Sequence, residues 1–224
     1  MNISVYMMGK EEVESEVLMK IDKEIEFLND EFEGVIQFRL NELFLDPAIS
    51  YLPVIYKQYH QNQDLEIDAI LSPIEKKGSI NIFLFETYAE VGYPGALMGF
   101  TPRLVNGASS YEYNSPSFDR IFMAYKALGN QSTLAHEMGH FLGLNHPWEL
   151  SEDNKTKDGI LDPEDEKKNH MSYGPEVEKF TTEQLNAMHR HSMNYRKYLM
   201  NRLVRIYTAS TSETNQTFAS SDLR

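Results

Sequence analysis

The chain has 224 residues, 41% of them hydrophobic and 12% aromatic, with a formal net charge of -13. That length suits one domain with a sizeable core, or two lobes around a cleft, and leaves no room for a third independent domain. An acidic balance without a basic patch excludes nucleic-acid binding, no apolar run approaches the roughly 18 residues of a membrane span, and the absence of cysteine excludes disulfides, thiolate metal sites and a cysteine nucleophile. A cationic protein or peptide partner suits the acidic field, against the plainer reading that net acidity serves solubility.

Residues 1–8, MNISVYMM, lack the basic start, the longer apolar stretch and the small-residue cleavage site of a signal peptide, so they read as a cytoplasmic start or as the opening of a mature fragment. Residues 3–8 alternate as a strand does. From Val13 the apolar residues Val13, Val17, Ile21, Ile25, Leu28 and Phe32 recur every three or four positions, the pattern of an amphipathic helix, which Gly34 stops. VIQFRL (35–40) reads as the next strand, with further strands expected at 80–85, 96–100 and 120–125 between Gly, Pro and Asn/Ser turn signals. Ser132 is the expected N-cap of a helix running to about Gly143. Residues 148–170 are polar, acidic and aperiodic, hence mostly loop. Thr181 and Gln184 form a capping-box pattern, with Phe180 and Leu185 spaced for a hydrophobic staple. The stripe Leu185, Met188, Tyr195, Leu199, Leu203 and Ile206 should bury the helix that follows. From Thr208 the Ser/Thr/Asn-rich tail has too little apolar content to order itself.

Residues 136–146 read His-Glu-Met-Gly-His-Phe-Leu-Gly-Leu-Asn-His, which satisfies H-E-x-x-H-x-x-G-x-x-H at each fixed position. Residues four apart share one helix face, so His136 and His140 can offer imidazoles to a single ion. Glu137, the next residue, can reach a water on the metal without becoming a ligand. Gly143 can take positive φ and turn the chain, so that His146 returns as third ligand. Three protein ligands leave one position open, as a catalytic zinc requires. His189 and His191, two apart on different helix faces, read as solvated surface residues, and His170 as structural.

The motif resembles that of the metzincin zinc peptidases. Asn169-His170-Met171-Ser172-Tyr173-Gly174 resembles their Met-turn, which implies Met171 as the hydrophobic base beneath the metal. It also implies Tyr173 as a phenol that ligates zinc at rest or hydrogen-bonds the oxyanion, against a packed turn tyrosine. Within metzincins the chain is similar to the pappalysin family, through Leu28-Asn29-Asp30-Glu31-Phe32, Ile80-Asn81-Ile82-Phe83-Leu84, Thr133-Leu134-Ala135 and Phe180-Thr181-Thr182-Glu183-Gln184, over most of residues 1–206. It departs from that family in lacking cysteines and in the short stretch between third ligand and Met-turn. The resemblance implies a secreted or cell-envelope protein. It also implies structural calcium, for which Asp158, Asp162, Asp165 and Glu166 offer oxygen ligands, although their spacing is not an EF-hand and equally suits a solvated acidic loop. Residues 96–100 are then either the sheet edge along which extended substrate aligns or an ordinary inner strand.

The expected fold is α/β: a metzincin-like, two-lobed catalytic domain with a twisted mixed sheet and helices. Residues 1–146 form the N-terminal lobe with the active-site helix, 147–207 a smaller C-terminal lobe with the Met-turn and C-terminal helix, and 208–224 a disordered tail. The expected function is zinc-dependent hydrolysis of peptide bonds in proteins, by a monomer, with basic residues favoured after the scissile bond because acidic residues crowd 149–178. A non-catalytic zinc-containing peptide-binding module and a metal hydrolase of non-peptide amides are the alternatives.

Overall fold

A computed structural model of the chain describes residues 1–49, 69–86, 98–102, 119–146, 160, 169–172 and 179–200. Its centre is a mixed sheet of five strands: β1 (Asn2–Met8), β2 (Arg39–Asp46), β3 (Ile80–Phe85), β4 (Gly99–Phe100) and β5 (Arg120–Ala124), in the order β2-β1-β3-β5-β4. The first four neighbours in that order run parallel, and β4 pairs antiparallel with β5. The described residues also include three longer helices, α1 (Ser15–Glu31), α2 (Ser132–Phe141) and α3 (Thr182–Tyr195), and a short 3-10 helix, Tyr125–Ala127. The fold is thus mixed α/β.

β1 is buried along its whole length, so its alternation does not divide core from solvent. It divides two cores. Ile3, Val5 and Met7 point to one face with Ile82, Leu84, Ile121 and Met123, where α1, α2 and α3 pack through Ile21, Ile25, Leu28, Leu134, Met138, Leu185 and Met188. Tyr6 and Met8 point to the other with Phe83, Phe85 and Phe122. A strand buried on both faces between parallel neighbours reads as a near-continuous apolar run, as this one does.

The second face carries a row of rings across all five strands. Phe44 stacks on Tyr6 at 4.7 Å, Tyr6 on Phe83 at 4.6 Å, Phe83 on Phe122 at 5.7 Å and Phe122 on Phe100 at 4.5 Å. Each of these pairs is also a register pair of the ladder. Cross-strand aromatic pairs stabilise by about 0.5–1.5 kcal/mol beyond the area they bury. Here they fix the edge strand β4, two residues long, in register with the centre of the sheet.

Three sequence expectations shift. The strand expected at 35–40 begins at Arg39, because pairing with β1 starts at Asn2 opposite Arg39, while Ile36 and Phe38 enter the core ahead of the ladder. Ser132 is the first helical residue rather than the N-cap. Gln131 holds the cap position at φ +59, and Asn130 does the capping by accepting from Thr133 N at 3.1 Å. The helix expected to continue past 195 breaks at Arg196, before 197–200 resume it. There the guanidinium pairs with Asp119 and lies 3.9 Å from the Phe141 ring centroid. That buried anchorage to the start of β5 outweighs one turn of regular helix. The capping box at Thr181 and Gln184 is present, and residues 96–97 and 201–224 lie outside the described residues.

Candidate metal centre

α2 lies against both β5 and β4. Its C-terminal turn ends at Leu142, followed by Gly143 at φ +94. Gly143 N donates to His140 O at 3.0 Å and Leu144 N to Gly139 O at 2.9 Å, the paired bonds of a Schellman turn. Glycine is required here on two counts: the left-handed φ, and the approach of His191, whose Nδ1 would stand 2.3 Å from an added Cβ. His191 is therefore not the solvated residue expected. Burial, with Arg196 close by, pushes its pKa down to about 4.

The turn returns His146 to the face that carries His136 and His140. His140 Nε2 lies 3.1 Å from His146 Nε2, and His146 Nε2 lies 3.2 Å from His136 Nε2. All three residues are buried. The opposite nitrogens of two of them meet main-chain carbonyls: His136 Nδ1 donates to His170 O at 2.7 Å, and His140 Nδ1 to Leu144 O at 2.9 Å. A carbonyl only accepts, so the Nδ1 atoms of His136 and His140 carry a proton, and in the neutral imidazoles each Nε2 is then free to accept a metal ion. Four-coordinate zinc with Zn–N near 2.0–2.1 Å separates its ligand nitrogens by about 3.3–3.4 Å, which this spacing approaches. Among the described residues these three form the group able to hold a metal ion, with ligand atoms all within 4.8 Å of one another.

The outer partners explain why the imidazoles point inward. His170 O, which orients His136, belongs to the turn 169–172, and that turn is tied to α1 through His170 Nε2 and Glu31 Oε2 at 2.9 Å. Burial lowers the His170 pKa, against the pull of Glu31. Met171 is fully buried in the same core cluster as Met138 and Phe180. Its sulfur lies directly below α2: a Cβ on Gly139 would stand 2.3 Å from Met171 Sδ. Glu137, 5% exposed, points to the edge strand instead, where Thr101 Oγ1 is 2.9 Å from its Oε2 and Gly99 closes on its Cγ.

Thr101, Gly99 and the carbonyl of His170 were missed in the sequence. Lone threonines and main-chain carbonyls have no local signature, and these contacts span 34 to 38 residues. Gly139 alone left a trace, since a glycine inside a helix implies a close neighbour. Tyr173 and the four acidic residues Asp158, Asp162, Asp165 and Glu166 lie outside the described residues.

Two buried histidines on a helix laid against a mixed sheet, joined by a third that the following turn returns to them, form a group able to hold a metal ion in the helix-borne His-Glu-x-x-His pattern. The sequence matches the profile of peptidase family M43, pregnancy-associated plasma protein-A, over residues 81–201, just over half of the chain. The chain belongs to that family, the pappalysins. The matched span includes all three histidines, Glu137, Met171 and α3. No curated protein matches the sequence. Among solved structures, metalloproteinase-II from Bacteroides fragilis aligns with a TM-score of 0.49 at 13% identity, over 85% of this chain and 52% of that one. A chaperone–substrate complex aligns at 0.43 and 14% identity, over 89% of this chain and 35% of that one. The chain thus spans about half the length of that metalloproteinase.

Proposed function

We propose that this chain is a zinc-dependent endopeptidase of the metzincin type. The observation that carries the reading is the convergence of the three histidine Nε2 atoms beside Glu137, which shares a helix with His136 and His140. His136, His140 and His146 would hold the ion. Bound zinc would supply a Lewis acid for the scissile carbonyl and lower the pKa of a water. Glu137 would take one proton from the attacking water and deliver it to the leaving amine, so that the C–N bond breaks to a carboxylic acid and an amine, the acid then losing its proton to solvent. Met171 supports the helix from below, and Tyr173 donates to the carbonyl oxygen as it gains charge.

The edge position of β4 supports an extended substrate paired along it, which gives affinity tolerant of side-chain sequence. We further read the acidic stretch 149–178 as favouring a basic residue after the cleaved bond. Asp158, Asp162, Asp165 and Glu166 are the proposed calcium ligands, and the protein is proposed to act as a secreted or envelope enzyme and as a monomer.

The test compares zinc-loaded protein with Glu137→Ala on an unfolded protein and on small non-peptide amides. Internal cleavage of the protein substrate, reduced about 10³-fold by Glu137→Ala with zinc retained, is expected. Zinc binding without cleavage would favour a peptide-binding module, and cleavage of small amides alone would favour a different hydrolase.

A further inference from the structure

Thr101 lies one residue beyond β4. Phe100 turns its ring to the aromatic face, stacked on Phe122, so strand alternation turns Gly99 and Thr101 to the opposite face, toward α2. There the Thr101 hydroxyl stands 2.9 Å from Glu137 Oε2 and 2.9 Å from the Glu137 main-chain oxygen. It has one proton to donate. Both acceptors lie within reach of that one donor. Thr101 is 2% exposed, so solvent does not replace its donor.

Gly99 confines the same carboxylate from another side. An added Cβ would stand 2.9 Å from Glu137 Cγ and 3.2 Å from Oε1, so the strand backbone fills the space into which the side chain would otherwise swing. We propose that Thr101 is a positioning residue for Glu137: its hydroxyl holds Oε2 and thereby the plane of the carboxylate, while Gly99 shuts out competing rotamers. The inference rests on the reading of Glu137 as general base. It gives β4 a second task, because the strand proposed to seat the substrate also aims the group that moves the proton. Proton transfer needs heavy atoms held within hydrogen-bond reach, about 2.6–3.2 Å, and a bond at Oε2 narrows the torsions that the side chain explores.

The variants Thr101→Val, which keeps the volume, and Thr101→Ser, which keeps the hydroxyl, are compared in the zinc-loaded full chain. Thr101→Val should lower kcat by about 10- to 100-fold with KM within about 2-fold of the parent. Thr101→Ser should stay within about 3-fold of the parent in both constants. Zinc affinity, read by competition with a chromogenic chelator, should be unchanged in both, and a crystal structure of Thr101→Val should show the Glu137 carboxylate displaced or divided between conformers. If Thr101→Val does not fold, Thr101→Ala supplies the same readings. An unmoved carboxylate, parent-like kcat in Thr101→Val, equal loss in Thr101→Ser, or zinc affinity falling in step with kcat would each overturn the proposal. A parent protein that holds zinc yet cuts no peptide would overturn the general-base reading instead, and the position of Glu137 in Thr101→Val would still decide this one.

Discussion

Gly139 precedes the second histidine, inside a helix, where glycine costs roughly 1 kcal/mol against alanine. Met171 accounts for it, since its sulfur occupies the space an added methyl would need. Gly139→Ala should therefore lose stability despite its better helix propensity, by about 1–3 kcal/mol as overpacking usually costs. Urea denaturation measures this. Adding Met171→Ala should return part of the loss, as expected for residues in contact. A net gain in stability from Gly139→Ala alone would show that methionine and helix do not press on one another. At this scale legibility follows separation in the chain. His136, His140 and His146 lie within eleven residues, and helical period with one glycine turn brings them together, so spacing sufficed to find them. Thr101 and Glu137 are 36 apart, and no local rule links a threonine after an edge strand to a glutamate on a helix.

At the scale of elements, α2 is held at both ends. Its C-terminal end is closed by the Schellman turn, a hydrogen-bonding pattern that Gly143 announces in the sequence. The other end is held by Glu24 of α1, whose Oε1 accepts from Gly129 N at 2.7 Å and Gln131 N at 3.2 Å, a tie spanning more than a hundred residues that no sequence pattern announces. Glu24 lies among Val5, Ile21, Ile82 and Leu134, and among the described residues its buried Oε2 has no hydrogen-bond partner. Burial raises its pKa, although the two amide donors pull it down. A carboxyl whose folded pKa lies above its unfolded value stabilises most below the unfolded value, about 4.3, and loses that contribution as pH rises through the folded value. Glu24→Gln keeps a neutral acceptor for the same amides. It should match or exceed the parent in stability at pH 7, with the difference shrinking to nothing as pH falls below about 4. Denaturation midpoints across pH 3–8 check this, and a variant less stable than the parent at pH 7 alone would show that the carboxylate charge is favourable there. The break at Arg196 was illegible for a related reason: its cause is Asp119, far back in the chain, whereas the capping box at Thr181 and Gln184 needs only three residues and was plain.

For the whole molecule, the charge of -13 is the ground for the proposed preference for basic substrates, which a net acidic field would attract. Steering by exposed carboxylates is screened within a Debye length of about 8–10 Å near physiological salt, whereas a carboxylate lining a pocket is not. Cleavage-site profiling on a proteome-derived peptide library should show Arg or Lys enriched after the cleaved bond at low salt. Enrichment that survives high salt indicates a pocket carboxylate, loss of it indicates steering, and an aliphatic profile at both salts would contradict the basic preference.

The central claim is that His136, His140 and His146 hold one zinc in a site whose fourth position is open. Metal analysis of the purified chain after reconstitution, with zinc-edge absorption on the same sample, measures it directly. The expected result is one zinc per chain with imidazole nitrogens at about 2.0–2.1 Å, lost in His140→Ala and kept in Glu137→Ala. A chain without stoichiometric zinc, or zinc that His140→Ala retains in full, would contradict the account.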